Sequence, residues 1–294
     1  MSQPNPKRHH ILPRKYQAGF AGPDGRVWVF DRRRGSIACE NPENVAVEKH
    51  FYRSDTANAP DPTSMESFLA NHIEGPFWPV LERLERQEIP TSDDRLRISM
   101  FAAFLLTRTP TFRKTLTTII SNVMVSFPNL PTHLPKLNEF TQKTAGGLFV
   151  PVMPKNASLD KLGQLGIEAG QILCTLNTHF LYAPADEPFI TTDNPFVLER
   201  MVQDDQAPTV SATSFMKQVP LSAKVAVGFG LPGNTMFMTN VESKKLRDAN
   251  VRIATAAKQI ILSRTKEQLE SILSVISKQK TESGSGLGFP SVVR

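Results

Sequence analysis

Three stretches of the chain combine β-branched and aromatic residues with turn residues at their ends. They are residues 26–31, 188–198 and 215–230. This pattern predicts strands that are at least partly buried. The third stretch contains the alternating run Val225-Ala226-Val227-Gly228-Phe229, which makes it the natural antiparallel partner of the second. We therefore expect a small, largely antiparallel sheet.

Between the first two strands, apolar residues recur at helical spacing. One helix is expected to be capped by Thr63 or Ser64, and another carries the apolar run from Leu96 to Leu106. A third is expected from Ser158 to Leu181, although its glycines weaken that prediction and favour close packing against a neighbour. The predicted fold class is α+β, with a mainly helical middle packed on the small sheet.

Length and composition are typical of a globular protein. The chain has 294 residues, of which 40% are hydrophobic and 21% charged, so it can bury a sizeable core. We expect residues 1–280 to form a single α+β domain and the Gly- and Ser-rich residues 281–294 to form a disordered tail. Two isolated cysteines, no secretory signal and no long apolar run favour a cytoplasmic protein that does not enter the membrane.

The positive charge is concentrated near the N-terminus. The net charge is +6, and much of it comes from the cations between Lys7 and Lys15 and from the run Arg32-Arg33-Arg34. A local basic patch of this kind favours a nucleic-acid partner, because clustered cations attract phosphates. The alternative is that these are ordinary surface arginines.

The segment Thr191-Thr192-Asp193-Asn194-Pro195 places a carboxylate and an amide at the end of a predicted strand. A tight turn at this position can present Asp193 and Asn194 to a ligand. The alternative is purely structural, because Asx residues before proline are common in hairpin turns.

Further polar residues occur in the predicted helical region. Glu66 and Glu74 are eight residues apart, so they lie on roughly the same side of a helix. Paired carboxylates suit a divalent metal ion or acid–base chemistry, and they are equally common on a solvated helix face. Arg108 follows a very apolar helix and should therefore find a carboxylate or phosphate partner, for which Glu66, Glu74 and Asp193 are the candidates.

The order of several short motifs resembles a bacterial family catalogued as domain of unknown function 4238. The motifs are His10-x-x-Pro13-x-x-Tyr16-x-x-x-Phe20, the strand Val27–Asp31, Phe51-Tyr52, Glu66 with Ile73-Glu74, Arg108-Thr109-Pro110, Ile190–Pro195 and Pro220-Leu221-Ser222. The resemblance spans about residues 8 to 264, and its recurrent polar positions fall on His10, Glu66, Glu74, Arg108, Asp193 and Asn194. Gln17 stands where the family usually has leucine, a departure expected to affect packing. The family label implies no reaction.

Two functions fit these residues. In a metal-dependent phosphodiester hydrolase, Glu66, Glu74 and Asp193 would hold Mg²⁺ or Mn²⁺, while His10, Arg108 and Asn194 would be catalytic. Such a nuclease-like protein would suit bacterial defence. In the alternative, the protein is a non-catalytic binding module in which the same residues form a buried ion-pair network.

Overall fold

The computed structural model describes residues 8–49, 64–112, 114, 141–143, 149–151, 155–200 and 215–282. The α-helices in chain order are α1 (Arg14–Ala18), α2 (Ser64–Phe68), α3 (Gly75–Glu85), α4 (Ser92–Thr107), α5 (Lys155–Cys174), α6 (Ser243–Ala256) and α7 (Lys266–Glu282). A 3₁₀-helix spans Pro42–Asn44, and a π-helix spans Leu69–Glu74 between α2 and α3.

The strands in chain order are β1 (Arg8–His10), β2 (Val27–Asp31), β3 (Ser36–Glu40), β4 (Val47–Lys49), β5 (Thr141–Lys143), β6 (Phe149–Pro151), β7 (Leu176–Tyr182), β8 (Thr191–Thr192), β9 (Val197–Arg200), β10 (Phe215–Pro220), β11 (Val225–Pro232), β12 (Met236–Asn240) and β13 (Ile260–Ser263). The α+β fold class is confirmed.

Among the described residues, the strands form two larger sheets where the sequence predicted one. One has the order β12-β7-β11-β10-β9, the other has the order β3-β2-β13-β8, and β1-β4 and β5-β6 form separate pairs. Neighbouring strands are antiparallel except β12 and β7, which are parallel. The expected pairing of residues 188–198 with residues 215–230 occurs only through β9 and β10.

The chain passes from one sheet to the other at the predicted turn. β8 pairs with β13 in the four-stranded sheet, and β9 pairs with β10 in the five-stranded sheet. Pro195 lies between them and cannot donate a backbone hydrogen bond, so the strand cannot continue as one ladder. Residues 188–198 therefore form two short strands.

The predicted helix from Ser158 to Leu181 is wrong at its C-terminal end. α5 ends at Cys174, and β7 follows with Thr178, Phe180 and Tyr182 buried on one face. This alternation is the pattern of a strand and overrides the helical spacing read from the leucines. The glycines of α5 do permit close packing, because a Cβ at Gly166 would lie 2.5 Å from the ring of Phe104.

In the described part of the chain, the core has two parts, one on each face of the four-stranded sheet. The larger part joins this sheet to the helical layer and includes Phe77 and Phe101, whose rings stack with centroids 3.7 Å apart. The smaller part packs α6 and α7 against the opposite face through Ile253, Ile261 and Leu269. α7 continues to Glu282, two residues into the expected tail, and residues 283–294 lie outside the described chain. The single-domain assignment stays a prediction.

In the described part of the chain, no helix is long and apolar enough to cross a membrane.

Candidate functional site

Arg108 occupies the C-cap position of α4 and has the carboxylate partner that the sequence required. Its Nη1 lies 2.7 Å from Oε1 of Glu74, and its Nη2 donates to the backbone carbonyl of His10 at 2.9 Å. The side chains of Arg108 and Glu74 are only 7% and 19% exposed. A buried charge needs such a partner, and the hydrogen bond from Arg108 to His10 fastens strand β1 to the helical layer.

The position of Glu74 follows from the local sequence. Glu74 ends the π-helix, and Pro76 follows it in the first turn of α3. Proline has no N–H for the carbonyl four residues earlier, so a regular α-helical bond to His72 cannot form. The backbone N–H of Gly75 instead bonds to the carbonyl of Ala70, five residues back, as in a π-helix.

A second histidine lies beside His10 on the same strand. His9 is 1% exposed, and its Nδ1 lies 3.3 Å from Oε2 of Glu66. The Nε2 of His10 lies 3.2 Å from the carbonyl of Glu43. Successive side chains of a strand point to opposite faces, so only one of these histidines can face the helical layer. The sequence argument selected His10, whereas the structure brings His9 to the carboxylate.

We call these five residues, His9, His10, Glu66, Glu74 and Arg108, the Arg108 joint. Glu66 reaches β1 through His9, and Glu74 is linked to β1 through Arg108.

Asp193 and Asn194 do not belong to the Arg108 joint. The two carboxylate oxygens of Asp193 accept the backbone N–H groups of Lys258 and Gln259 at 2.9 and 2.8 Å. The Nδ2 of Asn194 donates to the carbonyl of Ala256 at 3.1 Å. These bonds hold the turn between α6 and β13 against the end of β8.

Burial dominates the electrostatics of Asp193. It raises the pKa of the carboxyl group, and the backbone hydrogen bonds at Lys258 and Gln259 oppose that effect. The nearby guanidinium of Arg32 has its pKa lowered by burial, while the charge of Asp193 acts in the opposite direction. The Nη2 of Arg32 donates to the carbonyl of Ala254 at 2.9 Å. Arg32 thus also binds the C-terminal end of α6, next to the turn that Asp193 and Asn194 hold.

The three predicted metal ligands have three different environments. Glu66 lies beside His9, Glu74 is paired with Arg108, and Asp193 caps backbone amides. Within the ranges that the structure describes, no group of three or more His, Cys, Asp or Glu side chains is arranged to hold a metal ion. The geometry does not bring Glu66, Glu74 and Asp193 together as one centre, and binding of Mg²⁺ or Mn²⁺ stays a prediction.

Sequence reasoning missed the central role of Tyr16. Its hydroxyl donates to the carbonyl of Pro220 at 2.9 Å and lies 2.6 Å from the hydroxyl of Thr191. The backbone N–H of Ala223 also bonds to the carbonyl of Gly19 just after α1. The motifs that contain Tyr16, Thr191 and Pro220 therefore meet at α1. Burial raises the pKa of the Tyr16 phenol. The motif that begins at His10 and contains Tyr16 was the feature of the sequence that could have identified this residue.

Gln17 does more than alter packing. It is fully buried, and its Nε2 donates to the carbonyls of Leu12 and Val45 at 2.9 and 3.1 Å. A leucine at this position would leave both carbonyls without that donor. Gln17 thus links α1 to the segment after the 3₁₀-helix by hydrogen bonds.

A cavity of about 900 Å³ opens over one face of the four-stranded sheet. Asp31 pairs with Ser36 on β3 and with Ile260 on β13, and the N–H of Asp193 bonds to the carbonyl of Ile260. These four residues form one row across the sheet, and Val29 and Ala38 form the next. We call this cavity the cleft. Its walls come from three segments, namely Ile11, residues 44–48 and residues 110–111.

The cleft carries charges of both signs. The cations Arg33, Arg34 and Lys258 line it together with four carboxylates, Asp31, Glu40, Glu48 and Asp193. Asp31 resembles Asp193 in its role, because its Oδ1 accepts the backbone N–H groups of Arg33 and Arg34 at 2.8 and 3.4 Å. Asp193 is the only one of the six residues selected from the sequence that lines this cavity.

The sequence model of one family matches residues 8–267, and its description is "Protein of unknown function (DUF4238)". Neither the comparison with curated proteins nor the comparison with solved structures finds a match. The matched region contains the Arg108 joint, the Tyr16 contacts and the whole lining of the cleft. The chain belongs to the DUF4238 family.

Proposed function

We propose that this protein is a ligand-binding protein and that the cleft is its binding site. The observation that carries the proposal is the cleft itself. Its volume of about 900 Å³ falls in the usual range of small-molecule sites, which combine apolar surface with a few polar groups. Val29, Ala38 and Ile260 supply the apolar surface, and charged side chains surround them.

The environment of the other candidate residues supports the same class of function. Glu74 and Arg108 satisfy each other, and the second nitrogen of Arg108 is engaged by the backbone of His10. Asp193 and Asn194 hold the turn before β13. These contacts suit the binding-module hypothesis, in which these polar groups stabilise the fold and other side chains of the cleft recognise the ligand.

A thermal-shift panel tests the proposal. The panel contains free amino acids, tripeptides, nucleotides and sugar phosphates, because a ligand that binds only the folded state must raise the melting temperature. The variant Ala38→Trp fills the centre of the cleft floor, and Thr255→Trp on the exposed face of α6 is its matched control. We expect at least one compound to stabilise wild type and Thr255→Trp and to have no effect on Ala38→Trp.

The hydrolase hypothesis predicts metal-dependent cleavage of nucleic acid, which a nuclease assay measures directly. Labelled single- and double-stranded oligonucleotides are incubated with wild type and Asp193→Ala in EDTA, Mg²⁺ or Mn²⁺. Metal-dependent cleavage by wild type alone would replace the binding proposal with the hydrolase. Absence of cleavage together with a stabilising compound from the panel is the result that the binding proposal predicts.

A further inference from the structure

Within the cleft, charged side chains without an ion-pair partner separate by sign. Arg33 and Lys258 are exposed at the end where β2 turns into β3 and where β13 begins. Glu40 lies at the opposite end of β3, and Glu48 lies on the wall. In the described residues, none of these four side chains forms an ion pair, in contrast to the neighbouring Arg34, which lies 3.7 Å from Asp31.

The end of the cleft near Arg33 has a surplus of positive charge. Three lining cations, Arg33, Arg34 and Lys258, meet two carboxylates there, which leaves one positive charge. The two carboxylates, Asp31 and Asp193, already accept backbone N–H groups. This end would therefore favour an anionic group of a ligand, such as a carboxylate or a phosphate, which Arg and Lys side chains bind.

At the opposite end of the cleft, the carboxylate of Glu40 would favour a positively charged group of the ligand. Glu40 is the last residue of β3, four residues beyond Ser36, which corresponds to about 14 Å along an extended strand. A ligand that satisfies both ends must therefore carry charges of opposite sign separated by about 10–14 Å, which is the span of three or four extended amino-acid residues.

Part of the sheet surface that lines the cleft is apolar. Val29 and Ala38 form one row across the floor, and Ile260 extends the apolar area toward Asp193. Such a floor suits the side chains of a short peptide. A nucleic-acid backbone suits it less, because Glu40, Glu48 and Asp193 would repel successive phosphates.

We infer that the cleft binds short linear peptides with free termini, with the carboxyl terminus at Arg33 and Lys258 and the amino terminus at Glu40. The inference rests on the proposed function and deepens it, since it gives the class of ligand. It requires no metal ion and no covalent step.

Four peptide pools test the inference. Each pool contains Ala-X-Ala and Ala-X-Ala-Ala with all twenty residues at X, and the pools have free termini, an acetylated N-terminus, an amidated C-terminus or both modifications. Retention by the full chain is measured by ultrafiltration and mass spectrometry. We expect the free pool to be retained and each singly blocked pool to be retained at least tenfold less, because each modification removes one charge.

Charge variants identify the two ends. Glu40→Gln should lower retention of the free pool at least tenfold and abolish the difference between the free and acetylated pools. The double variant Arg33→Gln/Lys258→Gln should also lower retention of the free pool at least tenfold, and it should abolish the difference between the free and amidated pools. Asp248→Asn, an exposed change on α6, is the control and should retain the free pool as wild type does.

The outcomes separate this inference from the function on which it rests. Equal retention of blocked and free pools, or no retention of any pool, would overturn the peptide inference. If a nucleotide or sugar phosphate nevertheless stabilises wild type and not Ala38→Trp, the binding function stands with another ligand. If no compound in either experiment requires the cleft, both proposals fall.

Discussion

The Arg108 joint and the cleft contain similar kinds of side chain in opposite circumstances. In the joint, an arginine that is 7% exposed is paired with a glutamate at 2.7 Å and with a backbone carbonyl. In the cleft, Arg33, Lys258 and Glu48 are exposed and form no ion pair among the described residues. The joint connects one strand to the helical layer, whereas the cleft surrounds about 900 Å³ of accessible space.

This difference separates stability from recognition. A buried pair is costly to break, because removal of one partner leaves the other charge without compensation. Exposed charges contribute little to stability and remain available to a ligand. The comparison therefore predicts that substitutions in the joint act on folding and that substitutions in the cleft act on binding.

Arg108→Met should have the largest effect on stability. It leaves the carboxylate of Glu74 in a largely buried position without its cation, which typically costs about 3–5 kcal/mol. Urea unfolding measures the loss, and Arg33→Met is the matched control with an expected change below about 0.5 kcal/mol. Equal losses in the two variants would remove the distinction between joint and cleft.

Tyr16→Phe should have the next largest effect. It removes the hydroxyl that bonds to Pro220 and Thr191, and the loss of partners for buried polar groups costs about 1–3 kcal/mol. Tyr182→Phe is a close control, because the Tyr182 hydroxyl is buried with no hydrogen-bond partner in the described chain. The control should be neutral or slightly stabilising, and a comparable loss in both would show that Tyr16 acts only by packing.

Asp193→Ala should weaken one turn more than the whole fold. The amides of Lys258 and Gln259 lose their acceptors, so hydrogen exchange at these two positions should accelerate. The unfolding free energy should fall by about 1–3 kcal/mol. Asp248→Ala, on the exposed face of α6, should change neither quantity. Unchanged exchange at Lys258 in Asp193→Ala would contradict the capping role.

A smaller effect is expected from pH. Burial raises the pKa of Asp193 above its ordinary value of 3.8, so its contribution to stability is complete below about 3.8 and is lost as pH rises through the raised value. The stability difference between wild type and Asp193→Ala should therefore widen as pH falls from about 7 to about 4. A difference that narrows over this range would mean that the folded protein favours the ionised carboxylate.

The sequence predicted several features because they depend on local rules. The turn at Asp193 to Pro195 follows from residue type, and the need for a partner at Arg108 follows from the apolar helix before it. The partner itself had three candidates, because sequence alone does not reveal which carboxylate the π-helix presents. The α+β fold class, which the structure confirms, was predicted from strand-like stretches and from apolar residues at helical spacing.

Other features depend on packing between distant segments. The hydroxyl of Tyr16 meets residues 175 and 204 positions away, and the amides capped by Asp193 are 65 and 66 positions away. The cleft is built from β2, β3 and β13, whose register is a property of the sheet. The polar residues selected as site candidates therefore include one lining residue, Asp193. The sequence identified Arg33 only as part of a basic patch, and it did not identify Glu40 and Lys258.

Peptide retention by Arg33→Gln/Lys258→Gln tests the division between joint and cleft most directly. The account predicts an unfolding free energy within about 0.5 kcal/mol of wild type and at least a tenfold loss of the free tripeptide and tetrapeptide pool. Unchanged retention in a variant of normal stability would show that these charges do not recognise a ligand. It would contradict the assignment of the cleft as the peptide-binding site.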